Sequence, residues 1–181
     1  MSGTSHGNIT NHGMEKREID HPNAHYLLAA QGWMELGDCE SAIAELKQID
    51  VEYSNHPMVL MVWWHTHARS KRWEVCIEVG RALTEVCPDS PFGWINLCNA
   101  LYFQGKTSEA YNTLISVLER FPGNELLPYN RACYACQLSK LDEARNWLHE
   151  AFALGDNVEL KLKAEEDPDL EALWEEIPHM H

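Results

Sequence analysis

The stretch PFGWINLCNALYFQGKTSEAYNTLISVLERFP, residues 91–122, decides how the whole chain is read. Trp94, Leu97, Cys98 and Leu101 stand at i, i+3, i+4 and i+7, which is one face of a helix. Gly105 interrupts the pattern, and Ala110, Leu114, Val117 and Leu118 then repeat it. Gly105 suits the end of the first helix, where a left-handed backbone costs little only for Gly or Asn. Pro122 falls where the second helix must stop. The stretch reads as two apolar-faced helices joined by a short turn.

The same pattern recurs every 34 residues. Ala42, Cys76, Ala110 and Ala144 share one register, and Ile49, Leu83, Val117 and Ala151 follow seven positions later. Twelve positions before the first set stand Ala30, Trp64, Cys98 and Ala132. The turn column reads Gly37, Lys71, Gly105 and Ser139, and the units end at Ser54, Pro88, Pro122 and Asp156. A fixed period of this length is the mark of a repeat architecture. No stretch alternates in the manner of a strand, so the expected fold class is all-α. The units run about 23–56, 57–90, 91–124 and 125–158.

Trp94, Leu97, Gly105, Ala110 and Pro122 together resemble the tetratricopeptide repeat (TPR) consensus, and so do Ala144 with Ala151 and Tyr26 with Gly37 and Ala42. The second unit departs from it: Lys71 replaces the turn glycine, and Trp64 fills a small-residue column. The resemblance covers roughly residues 23–156. It implies antiparallel helix pairs stacked into a right-handed superhelix with a concave groove. A Trp in a small column overpacks a helix pair by about 1–3 kcal/mol unless space is found. Gly80, where the family carries a bulky residue, is expected to supply that space.

The chain has 181 residues, room for one well-buried domain, expected over 21–177 with a flexible segment at 1–20. A net charge of −14 argues against nucleic acid, whose affinity comes from Lys and Arg, and against anionic membranes. The longest apolar run, Met58 to Trp64, is too short to span a bilayer, and the first twenty residues hold no signal-peptide core. A cytoplasmic protein with six reduced thiols is expected. Residues 156–176 carry nine acidic and two basic residues around Leu160, Leu162, Leu170, Leu173 and Trp174. This segment is expected to cap the stack over 159–177 as one or two short helices broken at Pro168. Leu170, Leu173 and Trp174 would then share one helical side, with Trp174 as the main anchor.

For function, the resemblance implies a groove lined by the first helix of each pair. Its columns hold Leu27 and Gln31, Met61 and His65, then Phe92, Ile95, Asn99, Tyr102 and Phe103, and finally Tyr129. Met34, Met58, Arg69, Leu126, Cys133, Cys136 and Gln137 belong to the same columns. Met and aromatic side chains suit an adaptable peptide site. The same residues could instead pack against neighbouring helices or against the chain's own end, and both readings stand. The family's carboxylate-clamp columns hold Leu27, Gln31, Val62, Phe92 and Asn96, with no cation. An apolar or amphipathic segment of another protein is therefore the expected partner, with self-association as the alternative. Cys133 and Cys136 form a C-x-x-C inside a helix, without the helix N-terminus that redox chemistry needs or the further ligands that zinc needs. The expected function is a scaffold or adaptor, chaperone-like in one form, without cofactor, metal or catalytic residue; a thiol or metal site at Cys133 and Cys136 is the least favoured alternative.

Overall fold

The computed structural model describes residues 18–155 and 157–180. It is all-helical there. The helices are α1 (Asn23–Glu35), α2 (Cys39–Leu46), α3 (Pro57–Arg69), α4 (Trp73–Val86), α5 (Pro91–Phe103), α6 (Thr107–Leu118), α7 (Leu126–Gln137), α8 (Leu141–Leu154) and α9 (Asn157–Glu166). Three 3-10 turns complete the described part, at Val51–Tyr53, Pro168–Leu173 and Ile177–His179. The first eight helices form four pairs in the 34-residue register.

Local chemistry sets the helix ends. Proline opens α3 and α5, where its missing N–H costs no hydrogen bond and its fixed φ already suits a helix. His56 Nδ1 accepts from Met58 N (3.2 Å), and Ser90 Oγ accepts from Phe92 N (3.4 Å), which satisfies one free N–H at each start. The turn inside every pair has one left-handed residue: Gly37 (φ 86°), Lys71 (φ 54°), Gly105 (φ 82°) and Ser139 (φ 59°). The second and fourth units thus hold the same backbone as the glycine units, against the steric cost of a Cβ.

Within the pairs, Ala30, Ala42, Cys76, Cys98, Ala110, Ala132 and Ala144 are fully buried, so the helices meet over small side chains. Trp64, in the same column, is 7% exposed, and the Cys76 thiol beside it donates to the Trp64 carbonyl (3.6 Å). Gly80 sits at a close approach to α5. A Cβ there would meet Leu97 Cα at 2.9 Å, and the three nearest atoms all belong to Leu97, none to Trp64. Gly93, opposite, would meet the Leu83 carbonyl carbon at 2.9 Å. The two glycines let α4 and α5 approach backbone to backbone across the junction of units two and three.

The junction of units three and four uses a different device. Arg131 on α7 is buried between the rings of Tyr111 (4.5 Å) and Trp147 (4.1 Å), and its Nη2 donates to the Tyr111 hydroxyl (3.1 Å). The Tyr111 hydroxyl in turn donates to Glu143. A desolvated guanidinium on aromatic faces stabilises by about 2 kcal/mol or more. One continuous core runs from Trp64 to Met180, and a smaller one joins Leu27, Ala30, Leu46, Val59 and Val62, with Ile19 packed on it. The packed region therefore reaches from Ile19 to Met180, beyond both expected limits of 21–177. The flexible segment expected at 1–20 lies, for residues 1–17, outside the described residues.

Releasing the strained turns is the expected route to a stabler protein. A left-handed residue with a Cβ costs about 1–2 kcal/mol, against the roughly 0.5–1 kcal/mol that glycine loses in chain entropy. Lys71→Gly and Ser139→Gly should each raise stability by up to ~1 kcal/mol, and Gly105→Ala should lower it by about the same. Nothing crowds Gly105, so backbone conformation alone is at issue. At about 2–4 °C per kcal/mol for a chain of this size, thermal melts resolve the three changes. A lower melting point for Lys71→Gly would overturn the account.

Candidate functional site

The first helices of the pairs, α1, α3, α5 and α7, form the concave face, and the chain's own end lies against its fourth-unit end. After α9 the backbone turns at Asp167, whose Oδ1 accepts from Asp169 N (3.0 Å), and continues as the 3-10 turn Pro168–Leu173 against α7. The Tyr129 hydroxyl donates to Asp167 Oδ2 (2.8 Å), and the Cys133 thiol lies 3.9 Å from the same oxygen. Gln137 Nε2 donates to the Asp169 carbonyl (2.9 Å), and the Tyr102 hydroxyl donates to the Asp169 carboxylate. Leu170, Leu173 and Ile177 are fully buried beneath. Arg145 of α8 grips Glu176 with two hydrogen bonds (2.6 and 2.9 Å).

The segment is a cap, but its expected anchor is corrected. Trp174 is 36% exposed, and its indole nitrogen donates to the Asp167 carbonyl (3.0 Å). The reason is the helix type. With 3.0 residues per turn, Leu170 and Leu173 align and a residue at i+4 rotates away, whereas the α-helical spacing expected from sequence put all three together.

The ten sequence-selected groove residues separate into three groups. Leu27, Ile95 and Tyr129 are core: Tyr129 is 1% exposed and offers no surface to a ligand. Tyr102 and Asn99 are half-buried and engaged internally, Asn99 accepting from the Tyr134 hydroxyl (2.8 Å) and from Asn130 Nδ2 (3.4 Å). Gln31, Met61 and His65 are half-buried along the first two units, and Phe92 (40%) and Phe103 (56%) are exposed. Of the three rings expected to meet a ligand together, Tyr129 is thus buried, Tyr102 half-buried and Phe103 exposed.

The open part has its own geometry. Met34, Glu35, His65, Ala68 and Arg69 line a depression of about 570 Å³ between α1 and α3, and Arg69 Nη1 donates to the Met34 carbonyl (2.9 Å). His65 stands edge-on to Trp64 (5.2 Å, 87°) and tilted to Phe92 (6.3 Å). Burial, then Arg69, lowers its pKa, which favours a neutral ring. Along one rim the rings of Tyr134, Tyr102, Phe103 and Trp73 follow one another at 5.0, 5.3 and 4.8 Å. Trp73 escaped the sequence reading because it opens a second helix, whereas the groove columns are counted on first helices.

Cys133 and Cys136 lie buried in α7. Burial, Asp167 and Asp169 push the Cys133 thiol well up, and burial raises Cys136, so both favour the unreactive thiol. Cys76 and Cys98 are pushed up to about 11 and about 12 by burial. Among the described residues no group of three or more His, Cys, Asp or Glu is placed to hold a metal ion, and no helix is long and apolar enough to cross a membrane.

No protein-family model and no curated protein matches the chain. A solved structure described as "MamA MSR-1 C2" matches with a TM-score of 0.62 at 16% identity, over 74% of this chain and 76% of that one. MamA is a TPR-type repeat protein, and the likeness shows the fold. The chain is an all-α stack of TPR-like helix pairs.

Two measurements test this geometry. Leu170→Ala or Leu173→Ala should cost about 2–5 kcal/mol, as buried Leu truncations do. Trp174→Ala should cost under ~1 kcal/mol, in the range of a change on a largely wet surface. The reverse order in denaturant titrations would restore Trp174 as the anchor. The second test concerns His67, buried on α3, stacked on Trp63 (5.1 Å, 5°) and without a hydrogen bond at either ring nitrogen. Burial, then Arg72, lowers its pKa below 6.5, with Glu40 opposing and Lys47 adding. The unfolded chain then binds the proton more readily, so stability should fall as pH drops through about 6.5 toward the folded value. His67→Phe keeps the stacked ring and should flatten the decline in melting point between pH 7.5 and 5.5; an unchanged slope would move its origin elsewhere.

Proposed function

We propose that this chain is a non-catalytic interaction scaffold that holds a segment of another protein on the open part of its concave face, along the first three units. One observation carries the reading: the chain's own end fills the groove columns of the fourth unit, whereas those of the first three keep Phe92, Phe103, Met58 and the Met34–Arg69 depression accessible. Exposed aromatic side chains beside adaptable Met are costly to leave in water and suited to re-packing around a ligand. A peptide with apolar side chains fits this chemistry.

The single variants Phe92→Ala and Phe103→Ala test this, because both positions are exposed and their loss leaves the core intact. Partners recovered with the parent chain from its native cells should bind each variant with at least about 1–2 kcal/mol less affinity, the loss expected of aromatic anchors, at unchanged melting temperature. Equal affinity for both variants would place the site off the groove.

Self-association is the second reading, favoured by α1. Its outward Leu28 and Leu36 are largely exposed, whereas the outer face of a terminal repeat is ordinarily polar. Light scattering over a concentration series distinguishes the readings. A mass that grows with concentration, and that Leu28→Glu with Leu36→Glu abolishes, supports stacking between copies.

A further inference from the structure

The aromatic rim and the carboxylate at its end form one surface with opposite demands. Phe103 is the most exposed ring of the row, flanked by Trp73 (4.8 Å) and Tyr102 (5.3 Å). The Tyr102 hydroxyl reaches Asp169, so the carboxylate stands at the end of the ring next to Phe103. Asp169 Oδ1 takes that hydrogen bond, and Oδ2 has no partner among the described residues. Its neighbours are acidic or neutral: Asp167, Tyr129, Cys133 and Gln137. The near cation, Lys163, lies over the Tyr129 ring (4.3 Å). Burial, and the like charge of Asp167, hold the Asp169 carboxyl above its ordinary range. A half-buried carboxylate held by neutral donors beside another carboxylate is short of one thing, a cation.

We infer that the partner segment is basic and amphipathic: it lays an arginine side chain along Phe103, with the guanidinium meeting Asp169 Oδ2 and adjacent aliphatic or aromatic side chains covering Phe92 and the Met34–Arg69 depression. The inference rests on the reading of the open groove as a ligand surface and adds the chemistry of the ligand. Arginine fits better than lysine, because its planar group stacks on an aromatic face and pairs with a carboxylate at once. The net charge of −14 draws such a segment in at long range, and that attraction weakens with salt. An acidic segment meets Asp169 and Asp167 as like charges. A purely apolar one leaves Oδ2 desolvated with no hydrogen bond.

A random 12-residue peptide library, selected on the full-length chain in about 0.15 M salt, tests this without a known partner. Selected peptides should carry Arg, less often Lys, next to an aliphatic or aromatic residue. Replacing that Arg by Gln in a synthetic copy should weaken binding about tenfold, as loss of a charge-assisted pair does. Asp169→Asn keeps the Tyr102 hydrogen bond and should lower affinity for the Arg peptide, but not for its Gln copy, by the same factor. Glu150→Gln, on exposed α8, removes the same charge away from the groove and should leave affinity unchanged. Equal losses for Asp169→Asn and Glu150→Gln would reduce the effect to bulk charge and overturn the inference. Selected peptides without a basic residue, yet weakened by Phe103→Ala, would overturn it while leaving the groove reading intact. No enrichment at all, or binding indifferent to both Phe92→Ala and Phe103→Ala, would remove the groove reading with it.

Discussion

In three of the four pairs the helices lie close over facing columns that carry almost nothing beyond Cβ, and much of this molecule is arranged around that restriction. Ala30 with Ala42, Cys98 with Ala110 and Ala132 with Ala144 satisfy it in three units, all without exposed surface. Packing this dense leaves no slack, so the turn joining each pair must reverse the chain within a few residues. A left-handed residue does so in all four units, and two units accept the strain of a side chain there rather than open the pair. The glycines at 80 and 93 extend the restriction across a repeat boundary, where backbone meets backbone.

The first helices of the pairs share one face of the stack. The chain covers the fourth-unit end of that face itself. Leu170, Leu173 and Ile177 are fully buried in the segment that packs on α7, and Asp167 and Asp169 bring carboxylates onto the hydroxyls of Tyr129 and Tyr102. This gives the groove an asymmetry that its repeats lack: aromatic and Met-lined toward the first three units, walled by acidic groups at the fourth.

Period and residue type together made the fold readable in advance. Helix pairs, turn positions and small-residue columns depend on interactions within about one repeat, so a 34-residue window contains their causes. The four turn positions are the clearest case, since Lys71 and Ser139 were placed by register although neither favours the backbone they adopt. The site was only partly readable. Phe92 and Phe103 are exposed and His65 is half-buried, while Leu27, Ile95 and Tyr129 sit in the core. Trp73, Arg131 and the tail contacts left no periodic trace to follow.

The amino-acid sequence by itself therefore determined the repeat, its register, the all-helical class and the acidic, apolar-seamed end that had to cap it. Only the tertiary structure decided which groove residues face water. That choice depends on where residues 167–177 fold back, some thirty to seventy positions from the tyrosines they cover. It also depends on a 3-10 backbone after Pro168 that turns Trp174 outward. Both outcomes arise from contacts between distant segments, which no local spacing encodes.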